Sequence, residues 1–450
     1  MLAASSRRGR MFMDAGWIAL SSLAAAALGL AFWGVAGHLL SPAKLGVQTA
    51  LLAAITAPGA IAATGVGDAL NSVAGANPEH RRRLIRHAYQ LTVLTGLPLS
   101  AAAGVLAAIA LPGHRGSLAV GASVTVGGLV WALFIVQDSA LTSLRKTAWL
   151  PVENVLAGVA KIGLLLGIHA VAFGVVWSSV VPAGMAVVIL LPIIDRMSRN
   201  ARKSRHAVRS WIPRVDELSG TGLDYRDAHR AFNRLAVRTL CAVALTLGAL
   251  TFLPFVVTVV GGPTQGALFA LAWGMASVLD YASHGVATAL LVHTAESQGR
   301  EPELTGHALR PTLTLVIVGA LAVVGLCGPV FTALNATYVA LHGIAVVGIL
   351  CLASVLRVVY FIWVSGQQAR QEMTPVLRLN GVGAIVMYSL VICFAGHDGA
   401  LVGATAMAAS QAVLSAVALV LMRARRRRSL DIHRSGFLPS QHSATAQQHR

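Results

Sequence analysis

The sequence predicts an all-α integral membrane protein of about 12 transmembrane helices, built as two parallel six-helix bundles with both termini cytoplasmic. Three observations predict it. Long apolar blocks recur along the chain, basic residues keep to alternate loops, and the phrase "TGVGDAL" at 64–70 returns as "HGVATAL" at 284–290.

Of the 450 residues, 56% are hydrophobic and 12% charged, with a mean hydropathy of +0.70. That is about half the charged share of a typical soluble domain. The apolar blocks reach the ~20 residues a helix needs to cross the hydrocarbon layer. A β-barrel would instead show alternation over segments of about ten residues, which is missing. Spans are expected near 15–40, 46–74, 88–111, 117–142, 149–170, 173–195, 239–260, 265–293, 311–330, 337–364, 376–395 and 399–422. The first follows "RRGR" but is longer than the ~7–15 apolar residues of a signal peptide, so it reads as a retained helix. "PGHRG", "GGPTQ" and "AGHDG" supply turns between spans.

Of the 35 Lys and Arg residues, 31 fall at the termini or in loops that follow even-numbered spans. The opposite side holds only Lys44 and Arg115, and Lys161 and Arg357 lie within spans. Basic loops stay cytoplasmic, which places both termini inside and supports an even number of spans. The net charge of +18 is therefore mostly topology. The tail "RARRRRS" has no aromatic interleaving, so contact with anionic membrane lipids is the expectation and nucleic acid is not.

The longest loop, carrying "RMSRNARKSRHAVRS", divides the chain. The expected units are a first bundle over 1–195, a basic linker over 196–238, a second bundle over 239–424 and a disordered tail over 425–450. Shifted by 220 positions, Gly46, Ala50 and Leu51 meet Gly266, Ala270 and Leu271. Gly65, Val66, Ala69 and Leu70 likewise meet Gly285, Val286, Ala289 and Leu290. Six helices per half make the repeats parallel. Gly65 and Gly285 are then expected to be matching sites of close helix packing.

Cys241, Cys327, Cys351 and Cys393 sit in apolar blocks without CxxC spacing and read as small core residues. The 15 histidines form no HExxH or comparable pair. No metal, cofactor or catalytic group is expected, and no Walker A loop is present, so the chain is read as a non-enzyme.

The stretch "LSPAKLGVQTALLAAITAPGAIAATGVGDALNSVAGANPEHRRRLIRHAYQL" resembles the second-span region of polysaccharide flippases in the multidrug/oligosaccharidyl-lipid/polysaccharide exporter superfamily. Its shared features are Gly46 at the helix start, Gly65 with Gly67 near the cytoplasmic end, and the basic run Arg81 to Arg86. With twelve spans and a basic central loop, the likeness extends over roughly residues 10 to 425. Leu45 stands where an aromatic is common, and no basic residue stands near Asp68. The resemblance implies alternating-access translocation of a polyprenyl-diphosphate-linked oligosaccharide across a bacterial cytoplasmic membrane. Lipid-linked glycan, membrane lipids and polysaccharide assembly proteins would be the partners.

Such a substrate calls for cations at mid-membrane. Lys161 lies near the middle of the fifth span, ~18 Å of helix from the membrane surface. It is read either as a diphosphate contact or as half of a structural ion pair. Arg357 either contacts substrate or snorkels to the interface. Asp280, with His284 one turn on, is a candidate ion-coupling pair, and pairing of Asp280 with Lys161 is the alternative. Asp68, Asp138 and Glu153 read as solvated rim positions, with Asp68 and Asn71 as vestibule contacts for substrate and Gln137 hydrating the same entrance. Trp17, Trp149, Trp177 and Tyr360 read as interfacial anchors. A cation-coupled multidrug exporter of the same superfamily is the rival function. A membrane glycan polymerase or ligase is another, disfavoured by short outer loops.

Overall fold

A computed structural model describes the backbone of residue 21 and of 24–435, apart from 78, 112, 114–115, 145, 210–223, 297–300, 370–372, 395 and 397. Side chains at 281–308, other than Ser283, lie outside the described residues.

Twelve helices account for the described spans. In the first half they are α1 (Ala24–Leu39), α2 (Pro42–Ala76), α3 (Arg81–Ala110), α4 (Leu118–Ser143), α5 (Trp149–Ile168) and α6 (Gly174–Arg209). In the second they are α7 (Tyr225–Gly261), α8 (Pro263–Glu296), α9 (Glu301–Leu334), α10 (Gly343–Ala369), α11 (Met373–Phe394) and α12 (Gly399–Ser435). Among the described residues ten helices are long and apolar enough to cross a membrane, α1 is a shorter apolar helix, and α8 occupies the eighth expected span. A one-turn helix, Ala336–Ala340, links α9 to α10, with the Asn335 side chain capping Thr337 N–H at 3.0 Å.

Helix ends follow local chemistry. Pro42 opens α2 after an extended Ser41, where its missing N–H costs nothing. Gly262, at φ +90°, breaks the chain between α7 and α8 in a conformation that side chains resist. Within the spans, threonine hydroxyls donate back to carbonyls one turn earlier, as Thr95 does to Leu91 and Thr125 to Gly121 at 2.8 Å each. These hydroxyls therefore need no water.

Three boundaries differ from the sequence reading. Helix α6 continues to Arg209 and α7 begins at Tyr225, so helix occupies much of the expected 196–238 linker. Helix α12 runs on to Ser435, past the expected start of a disordered tail. Basic residues are good helix formers, and outside lipid they extend a span without a drop in helicity. Two of the cysteines also depart from expectation: Cys241 and Cys393 are exposed, whereas Cys327 and Cys351 are buried.

The halves are parallel repeats, and one pair of hydrogen bonds shows it. Buried Gln48 of α2 accepts from Val175 N–H at the start of α6, at 2.6 Å. Buried Gln265 of α8 accepts from Ala400 N–H at the start of α12, at 3.1 Å. In each half the second helix thus caps the sixth.

The first helix of each half packs across the divide. Phe32 and Ala36 of α1, with Leu40 just past its end, join a core formed largely by α8–α12. Phe232 and Ala236 of α7 join the first-half core around Ala62, Val66 and Leu84. Helix α2 is central, with 83% of its most apolar stretch buried, against 17% for α5 and α9. It touches the second half at two levels. A Cβ on Gly65 would lie 2.6 Å from Leu240 Cα of α7, and one on Gly46 would overlap the Pro263 carbonyl. Both glycines permit backbone approaches that no larger residue allows.

On the side bearing the basic loops, Asp195 of α6 gathers Arg82 and Arg86 of α3, at 3.1 and 3.4 Å, together with Arg199. His87 of α3 meets Asn233 of α7 at 2.7 Å. These contacts tie α3 to the helices on either side of the central linker.

Candidate functional site

A cavity of about 750 Å³ lies between the two halves, lined by α1, α2, α4, α5, α7, α8, α10, α11 and α12. Most of its wall is apolar or aromatic, including Trp33, Trp131, Trp273 and Phe361. Its charged groups, Lys161 and Asp68 from the first half and Asp280 and Arg357 from the second, lie on opposing faces.

On the first-half face Lys161 enters from α5. Its ammonium nitrogen stands 3.8 Å from the Phe32 ring centre and 5.9 Å from that of Trp33, both on α1. Aromatic faces carry negative charge density, so they stabilise the cation without neutralising it. Among the described residues Lys161 has no ion-pair partner. It also borders a side pocket of about 110 Å³ that reaches Asn154 and Phe134. Asp68 of α2 lines the main cavity as well, and is exposed there.

The second-half face is arranged differently. Arg357 of α10 and Asp280 of α8 form a close ion pair, with side chains 5% and 18% exposed. The Tyr360 hydroxyl donates to Asn380 Oδ1. Around these bonds, polar atoms remain unpaired: the donors Arg357 Nε and Nη2, Asn380 Nδ2 and Trp273 Nε1, and the acceptors Asp280 Oδ1 and Gln411 Oε1. Buried polar groups without partners are rare, and here their residues all line the same cavity.

The sequence-derived residues thus divide. Lys161, Arg357, Asp68 and Asp280 meet at the cavity. Asp280 pairs with Arg357 and not with Lys161, because α8 and α10 pack against one another and turn these two side chains to the same seam. Asn71, almost one turn beyond Asp68, is not part of the cavity wall. His284 and Gly285 lie on a described stretch of α8 backbone, but their side-chain surroundings are outside the described residues. Asp138, Glu153 and Gln137 are not solvated rim groups: Gln137 and Glu153 are buried, and each of the three carries an unpaired buried oxygen. Tyr360 is no interfacial anchor, since it is buried at the cavity wall. Among the described residues no three His, Cys, Asp or Glu side chains gather as for a metal ion.

Sequence reasoning missed Asn380, Gln411 and Trp273, although a lone amide inside an apolar span is itself a signal of function or pairing. It also missed a π-helical turn at Ala244–Gly248 in α7, whose Leu245, Thr246 and Leu247 line the cavity. Such turns concentrate at functional sites.

Two helical halves with a cavity between them define a multi-pass helical membrane protein. Comparison with solved structures gives that architecture a relative. The chain matches an inward-facing conformation of a multidrug resistance MATE family transporter of the MOP superfamily at 17% identity and a TM-score of 0.64. The match covers 90% of this chain and 94% of that one. An outward-facing conformation, described in the same terms, matches at 18% identity and a TM-score of 0.59, covering 92% and 95%. A MATE structure in complex with MaL6 matches at 17% and 0.58, covering 91% and 95%. At these identities the likeness is one of fold. No family model and no curated protein matches the sequence.

Proposed function

We propose that this chain is an alternating-access exporter of amphiphilic organic molecules, of the multidrug type, in a bacterial cytoplasmic membrane. The observation that carries this reading is the cavity of about 750 Å³ between the two halves, apolar and aromatic over most of its wall with a few polar points. Ligand sites for drug-sized molecules have this size and composition. Solved structures sharing the fold are described in both inward- and outward-facing conformations, which is the pair of states that alternating access requires. With Arg357 and Asp280 neutralising one another, the cavity is not strongly charged. The chain binds and moves its cargo without bond chemistry.

A second reading keeps the lipid-linked oligosaccharide as cargo, with polysaccharide assembly proteins as partners. Lys161 favours it, as the one cavity-lining cation without an ion-pair partner among the described residues. The unpaired donors at Arg357, Asn380 and Trp273 favour it too, because sugar hydroxyls and phosphate oxygens would satisfy them.

Gene deletion in the native host separates the two. Greater sensitivity to amphiphilic toxins with unchanged lipid-linked intermediates supports the exporter. Build-up of a polyprenyl-diphosphate-linked oligosaccharide, seen by mass spectrometry of extracted lipids, with loss of surface polymer, overturns it in favour of the flippase.

A further inference from the structure

Helices α3 and α6 meet on the basic-loop side and part again within the membrane. At the meeting point Asp195 of α6 accepts from Arg82 Nε and Arg86 Nη2 of α3, and pairs with Arg199 Nη2 one turn along its own helix. Continued inward at helical spacing, the same face of α3 carries Val93 and Leu97, and that of α6 carries Val188, Met185 and Val181. All five are exposed, so these faces do not pack on one another. Helix α4 packs against α2 on its buried side and against α3 and α6 on its flanks. Its exposed Val126 thus floors a recess between α3 and α6 that opens to lipid.

The recess is closed at one end by charge. Three guanidinium groups around one carboxylate leave a surplus of two positive charges. Among the described residues no second carboxylate pairs with any of the three. The Arg86 and Arg199 side chains are 63% and 56% exposed, and each spends one Nη on Asp195. Most of their five donors therefore remain for a further anion. Val93 and Leu97 lie about 10–17 Å along α3 from Arg86, the depth of one leaflet's acyl chains. A basic pocket above an apolar channel between spans is complementary to a phospholipid headgroup and its tails. A zwitterionic headgroup would add an ammonium to the surplus, whereas an anionic one cancels it.

We propose that the recess between α3 and α6 is a site for one anionic phospholipid. Its phosphate bridges Arg86 and Arg199, and its acyl chains lie over Val126 between Leu97 and Val188. The site is on the outer wall of the first bundle, apart from the cavity and from the basic tail, and does not depend on the cargo.

The test uses the full chain purified in detergent and titrated with phosphatidylglycerol, phosphatidylcholine or inorganic phosphate. Bound lipid is counted by native mass spectrometry, and the thermal unfolding midpoint is followed in parallel. Phosphatidylglycerol is expected to saturate a tightest site of one lipid per chain and to raise the midpoint by a few degrees, with phosphatidylcholine and phosphate inert. Arg86→Gln with Arg199→Gln is expected to weaken that site at least ~10-fold. Replacing Arg425, Arg426, Arg427 and Arg428 with Gln should leave it unchanged. If the double variant does not fold, Val188→Trp, which fills the recess from an exposed position, carries the comparison and should weaken the site likewise. Equal binding of the two lipids overturns the site, as does a midpoint raised as much by phosphate alone. So does binding that is lost with the tail arginines and kept without Arg86 and Arg199.

Discussion

The two cations that line the cavity are held by opposite means. Arg357 is locked to Asp280 across α8 and α10, and the pair is nearly closed to solvent. Lys161 rests on the faces of Phe32 and Trp33 and keeps its charge unspent. An ion pair in low dielectric holds helices in register, whereas an ammonium on aromatic rings can exchange those rings for an anion. The Arg357–Asp280 pair fastens one wall of the cavity, and under the proposed function Lys161 on the other wall is the group that would meet the cargo.

The largest expected effect comes from breaking the pair. Arg357→Leu strands Asp280 and should cost about 3–5 kcal/mol, lowering the unfolding midpoint and membrane abundance. Combining it with Asp280→Leu should restore most of both, because no buried charge then lacks its partner. Abundance by fluorescence-detected size exclusion checks this, and a fully stable single variant would dissolve the contrast.

Lys161→Ala comes next. Transport in proteoliposomes should fall at least ~10-fold, the loss of one contact worth about 1.4 kcal/mol, while the midpoint barely moves. A variant that transports normally returns Lys161 to a structural role.

Between the halves, Gly65→Leu should cost about 1–3 kcal/mol by pushing α2 from the Leu240 backbone. Gly163→Leu is its control, since nothing lies within 4 Å of a Cβ there. The smallest effects belong to the matched caps: Gln48→Ala and Gln265→Ala should each cost about 0.5–1.5 kcal/mol. Equal costs would extend the repeat from architecture to energetics.

The spans, their grouping and the central division were legible because hydropathy and loop charge are properties of the chain itself. Helix ends near Arg209 and Tyr225 were not, since propensity continues where lipid stops. The caps escaped notice because Gln265 follows Gln48 by 217 positions and Ala400 follows Val175 by 225, so a fixed shift of 220 misses both. At the cavity, Lys161 and Asp280 were visible as charges out of place. Their partners were not, because the rotation of each helix about its axis decides whether Arg357 or Lys161 reaches Asp280. Tyr360 was misread for the same reason: its spacing suits a lipid interface, and only packing turns it toward Asn380.

The π-turn at Ala244–Gly248 has a consequence for how α7 can move. It stores one surplus residue in a helix that otherwise repeats every 3.6. Passing that surplus along by a turn would rotate the stretch it crosses by about 100° and advance it by about 1.5 Å, with the helix never unwinding. Leu245, Thr246 and Leu247 would then trade places with their neighbours at the cavity face. A surplus residue held there would let α7 change the surface it turns to the cavity without losing its helical hydrogen bonds.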